Sequence, residues 1–220
     1  MSLRVSVILP SRGRPESLVK SIRSLRDLSV SPDNIQILVG YDYDDNETSD
    51  VAHNLGTVPV RFEPRLGYSQ FHVYVNQLAQ VSDGDWLFLW NDDALMTTRC
   101  WDVILGGYDF LTPLVLSPSS TGVEDSMCCF PVVSRALYSC LGHLSLSTHV
   151  DTWLQDLANS LGLLRKIGVY IYHDRFDFTG GHNDKTYAES RLGYRTKEFH
   201  SEPMQALLRD DIEKVRRCLI

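Results

Sequence analysis

The sequence predicts an α/β fold, a single domain with a mostly parallel central sheet flanked by helices, and three observations carry that prediction. The chain opens in the order strand, helix, strand. Its apolar runs stop abruptly at polar loops, and the most apolar of them, residues 86–90, breaks directly into Asn91, Asp92 and Asp93. A strand–helix–strand order favours a parallel pair with a right-handed crossover, the unit of open sheets whose ligands bind beyond the strands' carboxyl ends.

The elements follow in order. Residues 5–9, Val-Ser-Val-Ile-Leu, form a short β-branched run halted by Pro10, Ser11, Arg12 and Gly13, as a buried strand followed by a loop should be. Pro15 suits the first turn of a helix, and Leu18, Ile22 and Leu25 recur at spacings of four and three on one apolar face. Residues 35–39 read as a second buried strand leading to the acidic stretch 42–47, and residues 58–62 as a third. Phe71, Val75 and Leu78 have helical spacing within 68–81, and the run 86–90 then delivers two carboxylates to the same sheet edge.

Beyond Trp101 the pattern is less regular, with strands expected at 114–116 and 127–133 flanking a polar Ser/Thr/Gly loop. Trp153, Leu157 and Leu161 mark a helix from His149 onward. Residues 169–172 read as a strand with His173 just past its end, and Leu207, Leu208, Ile212 and Val215 mark a terminal helix.

At 220 residues the chain can bury one sizeable core, and no Pro/Gly/Ser-rich linker divides it. Its 43% hydrophobic and 22% charged residues exclude the disordered and membrane classes. No apolar run approaches the roughly 20 residues that cross a bilayer, and the chain starts straight into a strand pattern, so a cytoplasmic location is expected. The five cysteines are odd in number and lack CxxC spacing, which suggests neither a disulfide framework nor a cysteine zinc site. A net charge of -7 argues against a broad phosphate-binding surface, leaving Arg12 with Arg14, and Arg216 with Arg217, as local basic candidates.

Asp92 and Asp93 are the first chemical candidates. A departing diphosphate develops negative charge, and a divalent cation such as Mn²⁺ or Mg²⁺, held by one or two carboxylates plus phosphate oxygens, neutralises it. By spacing alone, the same pair equally describes an acidic turn. Arg12 and Arg65 suit bidentate phosphate contact, although Arg12 can also pair with Asp44 and Asp45. Asp151, before Thr152, Trp153 and Leu154, has the look of a helix N-cap. Glu124 with Asp125 is a rival carboxylate pair in a polar loop. Trp90 ends an apolar strand and reads as core rather than a sugar-stacking platform.

The order of these motifs resembles a known family. Residues 5–12 with the helix after them look like the opening of the family 2 glycosyltransferases of the GT-A fold. Residues 38–42 resemble that family's second strand, whose terminal aspartate usually contacts the nucleobase. The segment from Pro64 to Ser69, with Asn76 downstream and the turn 82–85, is similar to its loop, helix and Gly-Asp turn. Asn91, Asp92 and Asp93 occupy the place of its DxD metal motif, with Asn91 replacing the first aspartate.

The resemblance implies a GT-A nucleotide-diphospho-sugar transferase domain over 1–220: a donor and metal half at about 1–100, an acceptor half at about 101–200, and a helix in 201–220. It implies that Pro10, Ser11, Arg12, Asp42, Arg65 and Asp92 contact the nucleotide sugar. Asp93 is the better metal ligand by the family's pattern, and His173 looks like a late histidine of the metal shell, with His182 as the alternative. Asp151 falls where the family keeps a catalytic aspartate, the base of an inverting transfer to a glycan or other hydroxyl acceptor. The acidic balance counts mildly against a nucleic-acid acceptor. A nucleotidyltransferase and a non-catalytic nucleotide-sugar-binding protein of the same fold stay open as alternatives.

Overall fold

The computed structural model describes residues 3–122, 127–181, 183–192 and 196–219. The amino-terminal part is a run of parallel βα units: β1 (Val5–Pro10), α1 (Pro15–Asp27), β2 (Ile35–Asp42), α2 (Asn46–Asn54), β3 (Val58–Phe62), α3 (Phe71–Gln80) and β4 (Trp86–Leu89). Val5 of β1 stands opposite both Ile35 and Trp86, so β1 lies between β2 and β4, with β3 outside β2. β1, β2 and β4 are covered on both faces, which is why they read as continuous apolar runs rather than alternating ones.

The rest of the chain is β5 (Ala94–Met96), α4 (Trp101–Gly106), β6 (Val115–Ser120), β7 (Val132–Ser134), α5 (Arg135–Leu141), α6 (Val150–Leu161), β8 (Leu164–His173), α7 (Phe176–Thr179), α8 (Lys185–Leu192), α9 (Thr196–Phe199) and α10 (Glu202–Cys218). The eight-stranded sheet has the order β3-β2-β1-β4-β7-β6-β8-β5. β6 and β8 are parallel, while β7 runs antiparallel to β4 and β6, and β5 antiparallel to β8.

Only residues 90–93 separate β4 from β5, yet β5 lies four strand positions away at the sheet's far edge. In a flat sheet that is ~19 Å, more than the ~17 Å that a fully extended connection could span. Here the connection is also bent by a turn in which Ala94 N–H donates to Asn91 C=O. The sheet therefore curls, and residues 91–93 sit at its mouth.

Two apolar clusters cover the two faces. Val5, Val7 and Leu9 pack with Leu18, Ile22 and Leu25 of α1 and Trp101 of α4, while Ile8, Leu38 and Leu87 face Val75, Leu78, Trp153 and Leu157 of α3 and α6. Burying each such side chain stabilises the fold by roughly 1.5–3 kcal/mol. Trp90 is 1% exposed with its indole N–H on Ser21 Oγ, a core residue as its sequence position suggested.

Three elements differ from expectation. The acidic stretch 42–47 runs into α2, whose N-cap is Asp45: its carboxylate accepts the Thr48 amide. The strand expected at 127–133 shrinks to β7, because Pro131 has no N–H for a ladder and the Cys128 amide donates instead to the Gln155 side chain. β8 begins at Leu164 and takes in His173 as its last residue; Ile167, Val169, Ile171 and His173 alternate inward. Among the described residues, no helix is long and apolar enough to cross a membrane.

Candidate active site at the mouth of the curled sheet

The strands' carboxyl ends open into a cleft with a cavity volume of about 270 Å³. Pro10, Ser11, Arg12, Asp42, Arg65, Asp92, Asp93, Asp151 and His173, scattered over more than half the chain, all line it. Pro10, Asp42 and Asp92 arrive there because β1, β2 and β4 are in parallel register and end at one edge.

Asp92 and Asp93 are 6% and 8% exposed. Ser11 Oγ donates to Asp92 Oδ2 at 2.7 Å. Arg14, placed at the start of α1, sends its guanidinium between the two carboxylates, with Nη1 3.0 Å from Asp92 Oδ1 and 3.3 Å from Asp93 Oδ2. The same guanidinium is forked onto both oxygens of Asp184, at 2.7 and 2.9 Å. Burial first, and the neighbouring Asp93 second, push the Asp92 carboxyl up to about 6, while Arg14 and Ser11 pull it down. Arg14 is thus the fixed positive charge that makes two adjacent buried carboxylates tolerable.

Asp42, 4% exposed, anchors the other end of the cleft. The Tyr74 hydroxyl donates to its Oδ1, and Arg12 Nη1 donates to its Oδ2 at 2.9 Å. Arg12 also forks onto Asp44, and Arg65 Nε lies 3.5 Å from Asp42 Oδ2. Of the two partners expected for Arg12, Asp44 binds it, whereas Asp45 accepts the Gly13 amide and caps α2.

The facing wall comes from the later elements. Asp151 is the second residue of α6, whose N-cap is His149, so it is not the cap its sequence suggested; its carboxylate nevertheless accepts the Thr152 amide at 2.8 Å. Burial raises the Asp151 carboxyl above the usual range, against the Thr152 amide, which lowers it. Tyr68 is pushed up to about 12, by burial first and then by the charges of Asp151 and Asp93. His173 Nε2 lies 3.2 Å from Asp93 Oδ1. Glu124, Asp125 and His182 lie outside the described residues.

α8 and the residue before it supply further site contacts. α8 closes one side: Glu189 pairs with Arg65 and accepts the Tyr68 amide at 3.0 Å, and the Thr186 hydroxyl donates to the Arg12 carbonyl. Asp184, just before α8, holds Arg14. Partners up to 174 residues apart leave no local periodicity to read. Arg14 had one available signal, its place two residues after Arg12 in the loop that follows a buried strand.

Among the described residues, no group of three or more His, Cys, Asp or Glu is arranged to hold a metal ion. A buried carboxylate and an imidazole facing each other nonetheless fit a hard or borderline cation whose remaining ligands are phosphate oxygens and water.

The family model for glycosyl transferase family 2 matches residues 6–123. No curated protein matches the chain in sequence. Among solved structures, the chain is similar to S. aureus TarS 1-349 in complex with UDP, with a TM-score of 0.61 and 11% identity over 98% of this chain and 81% of that one. It is also similar to the mannosyltransferase PcManGT from Pyrobaculum calidifontis in complex with GDP-Man and Mn²⁺, with a TM-score of 0.61 and 14% identity over 100% and 74% of the two chains. The structural likenesses agree in the GT-A fold, and the family match spans more than half the sequence: the chain belongs to glycosyl transferase family 2.

Proposed function

We propose that this protein transfers a sugar from a nucleoside diphosphate sugar to a hydroxyl acceptor, with inversion and with the help of a divalent cation. The observation that carries the proposal is the convergence of Asp92, Asp93, Asp42, Arg65 and Asp151 on one cleft at the strands' carboxyl ends. In this proposal the first hundred residues or so bind the donor and the later ones shape the acceptor pocket.

Pro10, Ser11, Arg12, Asp42 and Arg65 hold the nucleotide, and Asp92 stands beside the sugar-diphosphate end. Asp93 and His173 would hold Mn²⁺ or Mg²⁺, which supplies positive charge to the departing diphosphate. Arg14 keeps Asp92 and Asp93 in place, since both sit within reach of its buried guanidinium. Asp151 accepts the proton of the acceptor hydroxyl as its oxygen attacks the sugar carbon on the face opposite the leaving group. A carboxyl raised by burial is a better proton acceptor than a fully solvated one.

Incubation with UDP-, GDP- and dTDP-sugars and Mn²⁺, followed for released nucleoside diphosphate and for pyrophosphate, tests the proposal. Nucleoside diphosphate release that rises with added acceptor supports it. Release of pyrophosphate alone overturns it in favour of nucleotidyl transfer, and donor binding without turnover across many acceptors overturns it in favour of a binding protein.

A further inference from the structure

Tyr68 lines the cleft together with Asp93 and Asp151, and the transfer described above gives it no task. Its backbone is pinned from three directions. The Tyr68 amide donates to Glu189 Oε1 of α8 at 3.0 Å, the Ser69 carbonyl accepts the Thr148 hydroxyl at 2.8 Å, and the Leu66 and Gly67 amides donate to the Tyr74 hydroxyl of α3. The ring lies flat on Phe71, another cleft residue, with centroids 5.4 Å apart and planes 18° from parallel. Among the described residues, none makes a hydrogen bond to the phenolic oxygen, and that oxygen is not one of the buried unpaired side-chain atoms, so it is open to the cleft. A fixed aromatic frame thus presents an unclaimed hydroxyl.

A phenol keeps its proton at neutral pH, and burial first, then the charges of Asp151 and Asp93, push this one up to about 12. It therefore serves as a neutral hydrogen-bonding group and not as a base. Charges act more weakly with distance, and both carboxylates bear on this hydroxyl, Asp151 more than Asp93, so it lies within reach of the space that separates them. That space has one natural occupant. In an inverting displacement the attacking and leaving oxygens stand on opposite faces of one sugar carbon, so with Asp93 at the diphosphate and Asp151 at the acceptor hydroxyl, the group between them is the sugar. We infer that the Tyr68 hydroxyl hydrogen-bonds a hydroxyl of the transferred sugar, making Tyr68 a catalytic and specificity-determining contact; this rests on the nucleotide-sugar reading above and adds the residue that reads the sugar rather than the nucleotide.

The test compares the unaltered full chain with Tyr68→Phe, which keeps the ring and its stacking on Phe71 and removes only the hydroxyl. The probes are the UDP-, GDP- or dTDP-sugar that turns over, the same donor lacking one sugar hydroxyl at a time, and the matching nucleoside diphosphate, all with Mn²⁺. In the variant kcat/KM for transfer is expected to fall about five- to tenfold, the scale of one neutral hydrogen bond, while calorimetric binding of the nucleoside diphosphate holds within about twofold. One deoxy donor should lose that same factor with the unaltered protein and lose nothing with the variant. Unchanged kcat/KM in the variant, or nucleoside diphosphate binding that falls as far as transfer does, overturns the sugar contact and leaves sugar transfer intact. The deoxy donors also test the unaltered protein alone, so a series that all turn over like the full donor overturns the contact even if the variant folds poorly. Failure of the unaltered chain to release nucleoside diphosphate from any donor overturns both readings.

Discussion

On one wall of the cleft the polar side chains stand at or just beyond the ends of parallel strands; on the other they stand on the start of α6, the last residue of β8 and the late helix α8. The first wall is fixed by backbone ladders, whose register places Asp42 and Asp92 at one edge whatever their side chains do. The second wall is tied to the first through side chains: Arg14 to Asp184, Arg65 to Glu189, His173 to Asp93. A ladder of hydrogen bonds tolerates the loss of one side chain, whereas a wall held by two ion pairs and a histidine–carboxylate contact does not. Substitutions on the first wall should therefore alter chemistry with the fold intact, and those where the walls meet should alter both geometry and binding.

The largest effect on transfer is expected on the second wall, at the proposed base. Asp151→Asn should lower kcat by about 10²–10⁴-fold with the donor KM little changed. Its effect on stability has the opposite sign. Because burial raises this carboxyl in the fold, the native state binds more protons than the unfolded chain between the ordinary aspartate value near 4 and the raised one, so its contribution to stability is lost as pH rises through that window. Asp151→Asn should thus melt higher than the parent at pH 7, and the two should converge below about pH 4. A variant with full kcat, or one that melts lower at pH 7, would remove Asp151 from the base role and make it a structural residue of the first helical turn.

Next in size is the first wall's own centre. Asp93→Ala should lower kcat by about 10²–10³-fold, the scale of one transition-state charge contact, and should weaken Mn²⁺ binding followed by electron paramagnetic resonance. The melting temperature should also fall, because Asp93 is a point where the walls meet, with Arg14 on one carboxylate oxygen and His173 on the other. Full transfer with unchanged manganese dependence would sink the metal assignment.

The same contrast explains how much could be read in the sequence. Residues 5–9, 35–39 and 86–90 announce themselves because a strand covered on both faces must be apolar throughout, and each stops where the cleft begins. Those runs located Asp42, Asp92 and Asp93 before any geometry was known. Helix α2 was hidden because Asp45, Asn46 and Glu47 read as a polar loop, yet a cap followed by an acidic first turn is also a helix start. The second wall was harder. Asp151 and His173 were placed by resemblance, while Glu189 acts on residues more than 120 positions away, beyond any local period. Arg14 could be read only as a local basic candidate, because its partners Asp92, Asp93 and Asp184 are brought around it by the fold.

Where the walls meet, Gly67 offers a smaller and more specific perturbation. Its backbone has φ 75° and ψ 172°, a conformation reserved for glycine, and a Cβ there would lie 3.1 Å from Glu189 Oε1. Gly67→Ala should cost about 1–3 kcal/mol through strain. For a chain of this size that is a fall of roughly 2–4 °C in Tm per kcal/mol. Arg65 and the Tyr68 amide flank the glycine, so donor KM should rise several-fold while kcat holds. An unchanged KM would mean that the loop is not part of the donor site.

The smallest effect on transfer belongs to Asp211, far from both walls, and it separates stability from chemistry. This residue of α10 has a fully buried side chain, with Lys214 Nζ at 3.0 Å and His143 Nε2 of the loop after α5 at 3.4 Å. Burial alone would raise its carboxyl, but His143 and Lys214 outweigh burial and hold it below the usual range. A depressed carboxyl contributes stability above its unfolded value that is lost as pH falls through its folded one. Asp211→Asn should therefore lower Tm at pH 7 by the equivalent of about 1–3 kcal/mol, and the gap should close as pH drops below about 4. Neither kcat nor donor KM should move, because α10 packs on α5 and α6 behind the sheet and supplies no side chain to the cleft. A loss of transfer at matched folded fraction would show that the helices behind the sheet set the position of α6, and with it Asp151, making the second wall depend on the core as closely as the first.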